Sequence, residues 1–277
     1  MNVSARPCIQ CGGERARMLR PFAALILALL PLGASFAQTA PGPLTPPAER
    51  KVKRIPLGKA VEPPPIPAEE ILQKFVDKED ASALAFRTYT YKLAVRVVEY
   101  NAKGEAAAES QLVSEVYTKE TGERVGRPVE EPTSELDTVN FTLGDLVEFA
   151  SLPMFPLTTD QLFKYDIVYV GKQKVDEIDA YAFNIKPKSV DRRDRRFEGV
   201  VWVDDRDLEV VKTYGKFVTE VISDEPFVLF ETYREVVNGM RLPTYVRSDG
   251  EKKVGEATVS LRLTLRYSDY APPKTGK

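Results

Sequence analysis

From Tyr165 to near the end of the chain, apolar and polar side chains alternate with a period of two, and this alternation limits the possible folds more than any other feature. It is clearest in Thr258–Tyr267. There Val259, Leu261, Leu263, Leu265 and Tyr267 fall on one side, and Thr258, Ser260, Arg262, Thr264 and Arg266 on the other. Only an extended strand sends successive side chains to opposite faces, and such a strand needs one dry face and one wet face. Four more runs lie between Tyr165 and Lys216. They are Tyr165–Val170 (ended by Gly171 and the charged segment after it), Ala180–Ile185, Phe197–Val203 and Leu208–Tyr214. The charged loop Lys186–Arg195 and the turn Asp204-Asp205-Arg206-Asp207 separate the later ones. Short strands with polar turns and no helix between them predict an antiparallel meander.

The pattern extends on both sides of the meander. Thr88–Tyr100 is a long strand with Tyr89, Tyr91, Leu93, Val95 and Val97 on one face, and Leu112–Thr118 returns beside it. Arg124–Val129 reads as a third strand, and Phe227–Val237 and Leu242–Arg247 as a hairpin. Asn238-Gly239 turns that hairpin, since both residues tolerate positive φ. Asp249-Gly250 reads as the next turn. A sheet of about ten strands curls instead of lying flat.

Helical periodicity appears in two places. Ala68–Lys78 follows Pro67 and carries Ile71, Leu72, Phe75 and Val76 on one stripe. Thr142–Ala150 carries Leu143, Leu146, Val147 and Ala150. The next segment, with Leu152, Met154, Phe155 and Leu157, is broken by Pro153 and Pro156 and reads as a lid packed on the sheet; Thr159–Phe163 adds a helical turn. The expected fold is mainly β, of the α+β kind: a curved antiparallel sheet forming an incomplete β-barrel, covered by two or three helices.

The N-terminus points to export. Arg15, Arg17 and Arg20 precede the apolar run Phe22–Leu32, which is too short to span a bilayer. Ser35 and Ala37 then supply the small residues of a signal-peptidase site, predicting a cut after Ala37 and a soluble periplasmic protein. Met18 makes a compact start for such a signal, so residues 1–17 read as an over-extended start. Gln38–Pro67 holds nine prolines. Residues 38–66 read as a linker outside the fold, 67–270 as the domain and 271–277 as a disordered tail.

Several chemistries lack their residues. The chain has no histidine, and its two cysteines, Cys8 and Cys11, precede the signal. There is no nucleophile elbow, phosphate loop or clustered ligand set, so no catalytic residue, cofactor or metal is expected. Asp204-Asp205-Arg206-Asp207 lacks the glycine and distal glutamate of a calcium loop and reads as a hairpin turn. Trp202 reads as packing, with ligand stacking the alternative. Charge is balanced, at 39 basic and 41 acidic residues, and no like-charge block suggests a nucleic-acid partner. The basic residues Arg192, Arg193, Arg195 and Arg196 are interleaved with acids and read as a solvated loop.

The runs YDIVYVG, AYAFNIKPK, FEGVVWVD, DLEVVK and FETYREVVNGMRLPTY, within Tyr165–Val246, resemble the outer-membrane lipoprotein-sorting proteins of the LolA/LolB-like superfamily of periplasmic carriers. The resemblance rests on the order of elements: an apolar strand, a charged loop, the W-x-D of Trp202–Asp204, a further strand and the Gly239–Pro243 hairpin. It implies a half-barrel with helices at its mouth, and a cavity that binds acyl chains of lipid or lipoprotein. The Pro-rich segment and the charged loop depart from that pattern.

Three alternating faces are the expected cavity lining: Tyr89, Tyr91, Leu93 and Val95; Tyr181, Phe183 and Ile185; and Val259, Leu261, Leu263 and Leu265. Leu143, Leu146, Val147, Met154 and Phe155 would form the lid. Two functions fit this plan. One is a carrier that shelters acyl chains from water in outer-membrane lipoprotein sorting. The other is an envelope interaction or stress-sensing module with a filled core and inner- or outer-membrane protein partners.

Overall fold

The computed structural model describes residues 63–119, 121–136, 138–139, 141–150, 152, 154–190, 195–218 and 226–273, all within the unit Ile55–Lys277. The export segment, both cysteines, the Pro-rich segment before residue 63, Arg192, Arg193 and the last four residues lie outside them.

Helix α1 (Ala68–Thr88) leads into β1 (Thr90–Tyr100), β2 (Ala106–Thr118), β3 (Arg124–Pro128) and the short β4 (Thr133–Ser134). Helix α2 (Leu143–Ala150) and a 3-10 turn at Leu162–Lys164 come next. The remaining strands are β5 (Tyr165–Val175), β6 (Ile178–Pro187), β7 (Arg196–Asp204), β8 (Val210–Val218), β9 (Phe230–Val237), β10 (Met240–Val254) and β11 (Ala257–Ala271). They form one antiparallel sheet in the order β3-β2-β1-β11-β10-β9-β8-β7-β6-β5, with β4 beside β2. The path ends on β3 and β5, so the curved sheet does not close into a barrel. Among the described residues this is the expected mainly-β half-barrel, with two α-helices.

Register shows that the sheet has one apolar concave face. Directly opposed residues share a face. One such row runs Tyr169–Phe183–Val201–Thr213–Thr232–Val246–Leu265–Val95–Leu112. The neighbouring row on the outer face runs Trp202–Lys212–Tyr233–Tyr245–Arg266. Gly199 and Gly215 oppose each other across β7 and β8, and the Phe197 ring lies over both. A Cβ on Gly199 would stand 2.2 Å from the Tyr214 carbonyl oxygen, so the two strands approach there as only glycine allows.

Several boundaries differ from the sequence expectation, each for a local reason. Helix α1 continues ten residues past Lys78, because Ala81–Ala85 contains strong helix formers and Glu79 is buried on the apolar stripe instead of ending it. Strand β1 begins at Thr90, so Tyr89 caps the helix: its N–H donates to the Ala85 carbonyl at 2.8 Å. On β1, Val98 is buried although alternation places it on the wet face. Strand β5 passes through Gly171 (φ 122°) by way of a bulge, and the turn falls at Asp176, with φ 53°. Leu208 lies in the preceding turn with φ 55°, and β8 starts at Val210.

The largest correction is at Asp249-Gly250. These residues lie in the middle of β10, opposite Arg262 and Leu261, and the turn comes at Gly255. Gly250 is there for close approach: a Cβ would stand 2.1 Å from the Pro226 carbonyl oxygen. Pro226 and Phe227 cross the strand at that point, and Phe227 joins the core beside Phe141, with ring centroids 6.1 Å apart.

Candidate functional site

Two covers fill the concave face. Helix α1 presses Ile71, Phe75 and Val76 against Tyr181, Phe183, Ile185, Val201, Val203 and Val210 of β6–β8. Phe75 meets Phe183 at 5.4 Å between centroids. Each such side chain removed from water is worth about 1.5–3 kcal/mol. On the other half, Leu146 of α2 with Leu152 and Met154 packs on Leu93, Val95, Leu261, Leu263 and Leu265. A capping box begins α2: the Thr142 amide donates to Asp145 Oδ2 at 2.6 Å, and the Asp145 amide donates back to Thr142 Oγ1 at 3.2 Å. Phe217 touches both clusters.

Polar contacts hold the seam between the covers. Arg234 on β9 points onto the concave face, with its side chain 0 % exposed. One guanidinium nitrogen donates to Glu79 of α1 and the other to the Met154 carbonyl at 2.5 Å. The guanidinium carbon lies 4.4 Å over the Phe155 ring. A single arginine thus ties the sheet to both covers. Asp80, next to Glu79, ties the covers to each other by accepting from the Thr159 amide at 3.0 Å and its hydroxyl at 2.5 Å. Burial pushes the Glu79 carboxyl above the ordinary carboxylate range, even with the guanidinium beside it.

A groove of about 680 Å³ opens along this seam. Leu84, Phe86, Met154 and Phe155 form its apolar side, and Asp80, Arg87 and Asp160 are among its polar residues. Phe155 is half-buried and sits 5.4 Å from the Phe86 ring. Phe86 in turn contacts Tyr91, Tyr267 and Tyr270.

The expected lining residues fall as follows. Tyr91, Leu93, Val95, Tyr181, Phe183, Ile185, Val259, Leu261, Leu263 and Leu265 are all buried, and all belong to the two clusters. The three faces therefore share one surface, but different elements cover them. Tyr89 does not share it, because it lies at the helix–strand junction and is half-buried there. Of the expected lid, Leu146 and Met154 are buried and Phe155 half-buried. Val147 is 58 % exposed, one position round from the packed stripe of α2. Leu143 opens α2, and its side chain lies outside the described residues.

The acidic turn holds an arginine. Arg241 donates to Asp204 at 2.6 Å and Asp207 at 3.0 Å, and its amide donates to Glu209 at 2.9 Å. Trp202 donates to Gln173 at 2.9 Å, and the Lys212 ammonium stands 5.6 Å from its ring, so the indole packs on the outer row.

The sequence reading missed Glu79 and Arg234, although both follow the periodicity it used. Phe230, Thr232 and Arg234 share a strand face, and Glu79 is four residues from Phe75. A charge on a dry face was the available signal.

No family model and no curated protein matches the chain. Among solved structures it is similar to a LolA superfamily protein, NE2245, from Nitrosomonas europaea, at 14% identity and TM-score 0.35, over 76% of this chain and 96% of that one. It is also similar to a DUF1329 family protein from Desulfovibrio piger, at 15% identity and TM-score 0.35, over 74% and 95%. A third is MucB, at 9% identity and TM-score 0.26, over 73% and 92%.

Proposed function

We propose that this protein is a non-enzymatic binding protein of the cell envelope that holds acyl chains of lipid or lipoprotein on its concave face, beneath α1 and the 152–157 lid. The observation that carries this reading is the Glu79–Arg234–Met154 contact. Apolar packing alone would seat a permanent cover more cheaply, because a buried ion pair is often no more stable than hydrophobic residues of the same volume. A polar tie between the sheet and two covers suits elements that part and return. Released from the lid, the floor of Leu93, Val95, Leu261, Leu263 and Leu265 presents apolar surface to an acyl chain, at about 0.8 kcal/mol per methylene buried. The seam groove, with Phe155 half-buried at its edge, is the way in. The Arg-flanked apolar run Phe22–Leu32 supports export. Among the described residues no helix is long and apolar enough to cross a membrane.

One observation favours a second reading. The floor residues are buried under the protein's own covers, as in a filled core used for protein–protein interaction. Mass spectrometry of lipid extracted from the purified protein, with displacement of a fluorescent fatty acid, separates the two. Co-purifying acyl lipid and saturable probe binding support the carrier. Their joint absence leaves the envelope interaction module. N-terminal sequencing of the secreted protein is expected to read from Gln38, and a retained Phe22–Leu32 segment would overturn the soluble assignment.

A further inference from the structure

A second groove, of about 600 Å³, meets the seam groove at the last turn of α1. Its walls come from the end of α1, the start of β1, the β2–β3 hairpin and Pro273, whereas the seam groove runs between α1 and residues 154–165. Both volumes lie in the range of ligand sites, about 300–1,000 Å³. Phe86 and Arg87 line both grooves. The Phe86 ring is the wall between them. It packs on Phe155 of the seam groove at 5.4 Å and stacks on Tyr91 of the second groove at 5.0 Å.

The second groove combines an apolar surface with charge of one sign. Phe86, Tyr91 and Pro273 supply apolar surface, and Arg87, Lys119 and Arg124 are its charged residues. Among the described residues that line it, none is acidic. The three cations are not equally engaged. Arg124 donates to Thr118 Oγ1 at 2.9 Å and to the Phe86 and Tyr89 carbonyls, so it fixes the hairpin to the helix end. Lys119 pairs with Glu123 at 2.8 Å. Arg87 is exposed, and among the described residues none hydrogen-bonds or ion-pairs with its guanidinium.

The acids of the seam groove are taken by other groups. Asp80 accepts from Thr159, and Asp160 accepts from the Thr158 hydroxyl and the Gln161 side chain. A cation in the last turn of a helix is favourable in itself and marks no site. Arg87 is distinguished by its place, where two grooves with apolar walls meet.

We infer that the second groove is a second arm of the acyl site, and that the ligand is a two-chain lipid with a phosphate head: one chain in each groove, and the phosphate on Arg87 between them. This rests on the acyl-binding reading above and names the class of lipid. A fatty acid would leave one arm empty, and a neutral lipid would leave the cation unused. Two chains joined at one phosphate match two grooves joined at one arginine, whose fork of donors suits phosphate oxygens.

The test uses three competitors for a fluorescent acyl probe: monooctanoylglycerol, dioctanoylglycerol and dioctanoyl phosphatidylglycerol. Wild type should bind the second more tightly than the first, by about tenfold or more for the added chain, and the third more tightly again. Lys119→Trp puts an indole into the second arm and should bring dioctanoylglycerol down to the affinity of monooctanoylglycerol. Both of those lipids are uncharged, so the lost ammonium does not bear on the comparison. Arg87→Gln should cut the advantage of the phosphatidylglycerol over dioctanoylglycerol about fivefold, the upper end for an exposed ion pair. Both replaced side chains are exposed, so the melting temperatures should stay near that of wild type. A two-chain advantage that survives Lys119→Trp overturns the second arm, and a phosphate advantage that survives Arg87→Gln overturns the head site. A groove that instead receives a protein segment gives wild type equal affinity for the one-chain and two-chain glycerols, which overturns the inference and leaves the acyl-binding reading intact. Failure of wild-type protein to bind any acyl probe removes that reading, and the second arm with it.

Discussion

Replacing Arg234 separates the two roles given to it, holding the fold and holding the lid. Arg234→Met leaves Glu79 buried without its partner. Breaking a buried pair in this way costs about 3–5 kcal/mol. The carboxyl is already pushed towards its neutral form by burial, so the loss should lie near the lower end. For a domain of this size, about 3 kcal/mol lowers the melting temperature by roughly 6–12 °C. Adding Glu79→Leu removes the orphaned carboxyl, and the double variant should recover most of that loss, since apolar replacement of both partners is often neutral. The lid should not recover. Its Met154 carbonyl has lost a charged donor worth about 1.5–3 kcal/mol, so the lid opens roughly ten to a hundred times more often. Hydrogen exchange over residues 154–162 and α1, alongside thermal melting, reads the two effects separately. A double variant with restored melting and wild-type lid exchange would refute the latch. A double variant as unstable as the single one would show that Arg234 contributes through packing alone.

Three further substitutions follow from the same geometry. Gly250→Ala should cost about 1–3 kcal/mol by displacing Pro226 and Phe227 from β10, measured by urea unfolding; a near-neutral result would restore the turn read from the sequence. Leu263→Glu places a charge at a position with 0 % exposure and should abolish both the folded state and acyl binding, whereas Phe155→Ser on the half-buried lid should alter probe affinity with little change in melting. Glu209 is pushed up by burial and by Asp207, so the folded protein holds this proton to higher pH than the unfolded chain does. Its contribution is therefore full below the ordinary carboxylate range and fades as pH rises through the raised pKa. The melting temperature of Glu209→Gln relative to wild type should climb as pH rises above the ordinary glutamate range, and a falling difference would reverse the assigned shift.

What the sequence made legible was whatever has a period. Alternation located the strands, because burial of one face constrains every second residue, and the Asn238-Gly239 turn was legible because its backbone requires positive φ. Single glycines carried less information. Gly171 and Gly250 read as breaks, since a missing side chain gives the same letter whether it serves a turn, a bulge or the close passage of another segment. Which of these applies depends on what crosses the strand, and for Gly250 that is Pro226, more than twenty residues earlier in the chain.

The site was hidden for a related reason. The expected helix stopped at Lys78, one residue short of Glu79, and Arg234 lies within the expected strand Phe227–Val237 as one of several polar residues. Each is surprising only once its face is known to be dry, and each is tolerable there only because the other is present. The sequence separation of 155 residues puts that pairing beyond any local pattern. The useful rule is to carry the alternation through the charges. A strand whose dry face reads Phe230, Thr232, Arg234 requires a buried acid on whatever covers it. The apolar stripe of α1, read past Lys78, offers Glu79 in the place of the next hydrophobic residue. Applied in that order, the rule picks out the tie between sheet and cover, which is the feature on which the functional reading depends.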